Sequence, residues 1–338
     1  MRDRISERRQ LGRTGPVIAA LGLGCMGMSD FYGPAERAES LATIEAALEA
    51  GVTLLDTGDF YGMGHNELLL REALHGGKRA RVFLQVKFGA QRDPAGAFVG
   101  FDARPSAVKS ALAYTLQRLG TDYVDLYQPA RLDPAVPIEE TIGAIAGCVR
   151  AGYVRHIGLS EVGAATIRRG HAAHPILSVQ MEYSLMSRSL EADILPAVRA
   201  LGIGTTAYGV LSRGLLSGTR REPPSASDFR RHFPRFQGEN LERNRRLVGA
   251  LEAMAQERGV TPAQLAIAWV LSRGTDIVPL IGARTRKQLG EALGACDVVL
   301  TREELARIEE AVPAAQVAGT RYGPAQMSML DSEHPAQA

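Results

Sequence analysis

Eight short apolar runs alternate with segments of helical periodicity along this chain, and no other feature restricts its fold as tightly. The runs are Ala19–Leu23, Val52–Leu55, Val82–Val86, Tyr123–Tyr127, Tyr153–Gly158, Leu177–Met181, Ile203–Ala207 and Ile277–Ile281. Between them, Arg37–Glu49, Pro105–Leu119, Ile138–Arg150, Glu191–Arg199 and Pro262–Leu271 read as helices. Ala50-Gly51 and Leu119-Gly120 mark helix ends, and Thr261-Pro262 reads as an N-cap followed by proline at the first helical position. Strands that are apolar throughout need cover on both faces, which a parallel sheet wrapped by helices supplies. Eight such units fit an α/β fold closed as a (β/α)8 TIM barrel better than an open sheet. The barrel is expected over 10–311, with 312–338 as a C-terminal tail that caps or frays. No linker, low-complexity tract or solenoid repeat divides residues 1–338, so they read as one domain. Gln10–Val17, with Gly-Arg-Thr-Gly as its turn, predicts a β-hairpin ahead of the first barrel strand. Gly214–Asn240, which contains Pro223-Pro224, reads as a long loop on the C-terminal face, where barrel active sites sit.

Several function classes fall away on composition. The formal net charge of the 338 residues is +2, from 39 Lys+Arg against 37 Asp+Glu, so no basic field argues for nucleic acid. The Arg-rich start (Arg2, Arg4, Arg8, Arg9) is interleaved with Asp3 and Glu7 and reads as a solvated end. Cys25, Cys148 and Cys296 are dispersed and odd in number, which disfavours a disulfide framework or a metal site and suits a reducing compartment. The longest apolar stretch, Val17–Met28, holds three glycines and is too short for a bilayer, which needs about 20 residues. A soluble, cytoplasmic protein is expected, and its oligomeric state, homo-oligomer included, stays open.

Gly22–Gly27 matches GxGxxG, but a dinucleotide fingerprint requires a helix to open at the last glycine. Met28–Pro34 reads as loop instead, so a glycine-lined strand end that lets a ligand approach is the better reading, with a Rossmann dehydrogenase as the alternative. Asp56 closes the second run, Tyr61 follows on the next loop and Lys87 closes the third run, so all three converge on the mouth of a barrel. A phenol is a weak acid, with a reference pKa of about 10. A neighbouring ammonium favours its phenolate, and a carboxylate holds that ammonium in place. Taken singly, Asp56 is equally a turn cap and Lys87 a strand-end charge.

These residues, with Leu54–Gly62, Asp125–Tyr127, Ile138–Thr141, Val154–Ser160, Val179–Ser184, Phe233–Asn240 and Gln288-Leu289, carry a resemblance to the aldo-keto reductases. The likeness is strongest to the subgroup of potassium-channel β subunits and pyridoxal- or aryl-alcohol-type reductases, and it runs from Gln10 to about Glu310. It implies a barrel binding NADP(H) at its strand ends and reducing the carbonyl of a small, largely apolar molecule. By position, Tyr61 would be the general acid, Lys87 its pKa-lowering partner and Asp56 the group orienting Lys87. Ser160 and Gln180 would hold the nicotinamide carboxamide and Tyr208 would stack on the ring. Gly24, Cys25 and Met26, with Gly209, Val210, Leu211, Ser212 and Arg213, would line the pyrophosphate and ribose. Gly282, Arg284, Gln288 and Glu291 would lie along the adenosine end, Arg284 on its 2′-phosphate, with Arg286 and Lys287 close enough to share that contact.

The chain departs from the family in two places. The family usually reads Tyr-Gln-His-Arg after the fourth strand, whereas Tyr127-Gln128-Pro129-Ala130-Arg131 places Ala130 where a catalytic histidine belongs. Ala292 stands where an adenine-binding asparagine is usual. Loss of one donor to a developing oxyanion costs about 10²–10³ in rate. Three readings follow: carbonyl reduction by Tyr61 and Lys87 alone, reduction of a conjugated C=C bond, or a β-subunit-like regulatory protein that binds cofactor with little turnover.

Overall fold

The computed structural model describes residues 5, 7–29, 31–218, 224 and 228–333. The chain opens with an antiparallel hairpin, β1 (Arg8–Gln10) and β2 (Val17–Ala19), in which Gln10 faces Val17 as the sequence predicts. The strands β3 (Gly22–Gly24), β4 (Leu54–Gly58) and β5 (Phe83–Phe88) follow. A second hairpin, β6 (Ala90–Arg92) and β7 (Phe98–Phe101), is inserted next. The series ends with β8 (Val124–Pro129), β9 (Val154–Ser160), β10 (Ile176–Glu182), β11 (Gly204–Tyr208) and β12 (Ile277–Ile281). Apart from the two hairpins, the strands form a closed parallel barrel, sealed where Leu280 and Ile281 of β12 pair with Gly22 and Leu23 of β3. The (β/α)8 barrel expected from the sequence is the fold.

The helices on its outside are α1 (Arg37–Glu49), α2 (His65–Ala73), α3 (Pro105–Leu119), α4 (Ile138–Arg150), α5 (Ala164–Ala173) and α6 (Ile194–Leu201), then α7 (Gly238–Arg258), α8 (Pro262–Ser272), α9 (Arg286–Leu293), α10 (Arg302–Ala311) and the short α11 (Pro324–Met327). Helix α8 starts at the predicted cap: the Thr261 hydroxyl accepts from the Gln264 N–H, and the Gln264 side chain accepts from the Thr261 N–H.

The hairpin plugs the bottom of the barrel. Leu11 and Ile18 pack on the inward Leu54, Phe83, Leu126, Leu177, Val278 and Leu280, so that end is closed by apolar side chains and the opposite end is left for chemistry. Glycine is required at Gly22, because a Cβ there would lie 2.7 Å from Leu280 and 2.8 Å from Leu54.

Three expectations are corrected. The first apolar run covers two elements: Val17–Ala19 belongs to the hairpin, which Ala20 extends by donating to the Glu7 carbonyl, and only Gly22–Gly24 enters the barrel. The sixth helix begins at Ile194, because Glu191 sits in a preceding 3₁₀ turn with its carboxylate bound by Arg188 and Tyr183. The loop after Gly214 ends earlier than expected, since α7 starts at Gly238. Part of that loop (219–223 and 225–227), the first four residues and the last five of the tail lie outside the described residues. Up to Glu333 the tail caps the barrel: Arg321 reaches Glu161 at the end of β9.

Candidate active site

Parallel pairing sets Asp56 opposite Gln85 and Gly58 opposite Lys87, so the ends of β4 and β5 deliver both charged groups to the mouth. The Lys87 Nζ lies 2.6 and 2.7 Å from the two Asp56 carboxylate oxygens. Gln85 and Gln180 also donate to Asp56 Oδ1, at 3.1 and 2.8 Å. Tyr61 is buried just beyond β4, where a 3₁₀ turn with left-handed Gly62 and Met63 turns it inward, and the Lys87 ammonium stands 5.2 Å from its ring centroid. The trio read from the sequence is therefore assembled.

Its electrostatics correct one expectation. Burial pushes the Lys87 pKa down while Asp56 opposes that shift. Tyr61 is held well above the ordinary phenol range, by burial first and by the Asp56 charge second, and the leading opposing charge is the guanidinium of Arg131. Lys87 is bound to both Asp56 oxygens while standing 5.2 Å from the Tyr61 ring. A phenol kept protonated is a competent proton donor.

Ala130 is buried immediately past β8, and its N–H donates to the Phe88 carbonyl at 2.8 Å. No histidine of the described residues replaces the missing one there. His65 begins α2, with Nδ1 2.9 Å from the Ser29 hydroxyl.

Around the mouth, Ser160 of β9 pairs in register with Gln180 of β10. The Ser160 hydroxyl is fully buried with no hydrogen-bond partner among the described residues, which suits a site for a polar group not yet bound. Gln180 points its amide nitrogen at Asp56 and keeps its carbonyl oxygen for another donor. Tyr208 ends β11, its hydroxyl 3.1 Å from that of Tyr322. The segment after it turns sharply: Gly209, Ser212 and Arg213 all have positive φ, between Val210 and Leu211 on one side and a Ser212–Ser184 hydroxyl contact of 2.9 Å on the other. Gly24 ends β3, Cys25 donates its N–H to the Asp56 carbonyl at 2.9 Å, and Met26 opens a 3₁₀ turn. No α-helix starts at Gly27, so the Rossmann alternative fails.

At the outer rim, Gly282 is exposed and the Arg284 N–H donates to Gln288 Oε1 at 2.9 Å. Glu291 lends its carbonyl to Gln264. Arg286 is committed to Glu39 at 2.8 Å, whereas among the described residues the Arg284 guanidinium meets backbone carbonyls, Tyr32 at 2.8 Å among them.

A buried ionic network behind Tyr208 went unread in the sequence. Glu161, a left-handed residue at φ 55°, accepts from Arg321 at 3.0 and 2.5 Å and from Ser332 at 2.7 Å. Glu182 accepts from Arg213 at 3.0 Å and from the Ser187 hydroxyl at 2.9 Å. Burial would raise the Glu161 pKa, but the Arg321 guanidinium holds it far below the usual carboxylate range. This network ties the tail, with Tyr322, across the mouth.

Oxidoreductases that use NAD(P) without a Rossmann unit form a recognisable barrel class, and this fold and mouth place the chain in it. It belongs to the aldo/keto reductase family, whose model matches residues 20–313. The chain is 41% identical over 321 residues to a probable aldo-keto reductase 1 of Glycine max, covering 93% of this chain and 91% of that one. Among solved structures it is similar to the glycerol dehydrogenase of Gluconobacter oxydans, with a TM-score of 0.82, 27% identity and coverage of 94% and 98%. It is also similar to an aldo-keto reductase of Bacillus halodurans in its holo form, with a TM-score of 0.76, 27% identity and coverage of 91% and 97%.

Proposed function

We propose that the protein is an NADPH-dependent reductase of an aldehyde, ketone or quinone-like carbonyl on a small, largely apolar molecule, with Tyr61 as proton donor. The observation that carries this reading is the buried Asp56–Lys87 pair beside the buried Tyr61 at the open end of the barrel. NADPH, when bound, supplies the hydride. The Ser160 hydroxyl and the Gln180 carbonyl hold its carboxamide, and Tyr208 covers its ring. Gly24, Cys25 and Met26, with Gly209–Arg213, line its pyrophosphate and ribose. Gly282, Arg284, Gln288 and Glu291 take its adenosine end, and Arg284, which bonds backbone carbonyls among the described residues, favours the 2′-phosphate of NADPH. Tyr61 hydrogen-bonds the carbonyl oxygen and protonates it, Lys87 and Asp56 keep that end of the site polar and ordered, and Ala130 leaves space that a histidine would fill. The free cysteines suit a reducing compartment such as the cytoplasm.

The test is Tyr61→Phe, which keeps the ring and removes the proton. Carbonyl reduction falls by about 10²–10⁴ while NADPH affinity stays within about twofold. Activity within a few-fold of wild type would mean that another group supplies the proton.

A further inference from the structure

The guanidinium of Arg131 is the odd one among the arginines at the mouth. Arg213 is paired with Glu182, Arg321 with Glu161 and Arg230 with Asp228. Arg131 is half-buried, and its hydrogen bonds go to neutral oxygens: the Ala130 carbonyl at 2.6 Å and the Tyr322 hydroxyl at 3.2 Å. No carboxylate among the described residues lies within ion-pair distance of it. The two acids best placed to neutralise it are committed elsewhere. Asp133, two residues on, accepts from the Ala103 and Ala135 N–H groups, each at 3.0 Å, and Glu161 belongs to Arg321. The Glu161 charge reaches Arg131, but its oxygens are taken by Arg321, so the guanidinium keeps donors that an anion can use.

Its place says which anion. Arg131 directly follows Ala130, the position where the family carries its histidine, and its guanidinium bonds the Ala130 carbonyl. Tyr322, its hydroxyl partner, also contacts Tyr208, so the guanidinium lies on the ring side of the site. Its charge is felt by both Tyr61 and Lys87. An anion bound there would sit beside the group that Tyr61 protonates, away from the rim where Arg284 waits for phosphate.

We propose that Arg131, next to Ala130, forms an anion subsite within the substrate pocket, and that the compound reduced carries a carboxylate next to its reacting carbonyl carbon. The planar fork of an arginine, with donors to spare, matches a carboxylate in two-point contact. The inference deepens the reductase reading and rests on it only for the identity of the reacting carbon.

The experiment compares an aromatic 2-oxo acid, phenylglyoxylate, with its methyl ester, which keeps the ketone and removes the charge. kcat/KM for both is measured in wild type, Arg131→Met and Arg131→Lys. Binding of mandelate to the NADP⁺-saturated protein is followed by calorimetry. Wild type is expected to prefer the acid at least about tenfold. Arg131→Met should lose at least about tenfold more on the acid than on the ester, and also lose mandelate binding, while Arg131→Lys retains part of both. Ester turnover serves as the folding control. Equal losses on acid and ester, or no preference in wild type, would overturn the subsite and leave the reductase reading intact. If neither ketone is reduced, mandelate decides: binding that depends on Arg131 supports the subsite and counts against the reductase reading, and binding indifferent to Arg131 overturns the subsite.

Discussion

Replacing Asp56 with asparagine isolates the electrostatics of the mouth from its chemistry. Both carboxylate oxygens contact the Lys87 ammonium within 2.7 Å, and each side chain is only about 5% exposed. Asparagine keeps the shape, but it offers one acceptor oxygen where three side chains now donate and adds an NH₂ that faces other donors. Removing one partner of a buried ion pair costs about 3–5 kcal/mol, because the remaining charge has neither water nor counter-ion. Unfolding entropy near 60 °C is about 2.1 cal/mol/K per residue, or roughly 0.7 kcal/mol/K for a chain of 338 residues. Asp56→Asn should therefore lower Tm by about 4–7 °C, read by calorimetry or circular dichroism. The loss has a pH signature. Burial already presses the Lys87 pKa downward, and Asp56 is the chief group that opposes it. The unfolded variant then binds one more proton than the folded one over the range up to the ordinary lysine pKa of about 10.4. Its stability accordingly rises with pH, and the deficit at pH 7 shrinks towards pH 10. Adding Lys87→Met removes the stranded charge and should recover at least half of the loss at pH 7. A Tm drop under about 1 °C, or no recovery in the double variant, would show that water reaches the pair and that the site is not dry.

Two further substitutions test other parts of the structure. Arg284→Ala should weaken NADPH by about 10–100-fold in a fluorescence titration and NADH by no more than about threefold, because among the described residues the guanidinium has no carboxylate partner to release. Equal losses would mean that Arg284 matters by holding the Tyr32 carbonyl in place. Asp59, behind Tyr61, is raised to about 7, by burial first and by the Glu67 charge next, against the Arg118 charge. Its folded pKa lies above the unfolded value of about 3.9, so its contribution to stability is full below that value and is lost as pH rises to about 7. Asp59→Asn should therefore gain Tm over wild type at pH 8 and little at pH 4, and parallel pH curves for the two proteins would count against the shift.

What the sequence reveals of the fold follows the punctuation in it. Helices α1, α3 and α4 and strand β12 fall where they are read, because Pro105, Gly120 and the Ala50-Gly51 pair fix ends by local backbone geometry. The first strand is misplaced because Val17–Leu23 is apolar without a break, so periodicity cannot mark the corner at Ala20-Leu21 that separates hairpin from barrel. The β6–β7 hairpin had a cue in Asp93-Pro94-Ala95-Gly96: the Asp93 N–H donates to the Ala97 carbonyl, and the Asp93 carboxylate accepts from the Ala97 N–H.

The active site is legible wherever position along one strand decides it, and opaque wherever distant segments meet. Asp56 and Lys87 need only their places at adjacent strand ends to find each other. The pairing of Glu161 with Arg321 spans 160 residues and depends on a tail folding back, with a left-handed glutamate that no local pattern announces. That distant pairing gives Arg131 its meaning. An arginine read from sequence has any number of possible partners, and only the commitment of Glu161 to Arg321, Glu182 to Arg213 and Asp133 to two backbone amides leaves it without one. The substitution of alanine at position 130 is visible in the sequence as a loss of one donor. In three dimensions the same alanine lies buried next to Arg131, whose hydrogen bonds among the described residues go to neutral oxygens, and a substrate carboxylate would give that guanidinium a partner of its own.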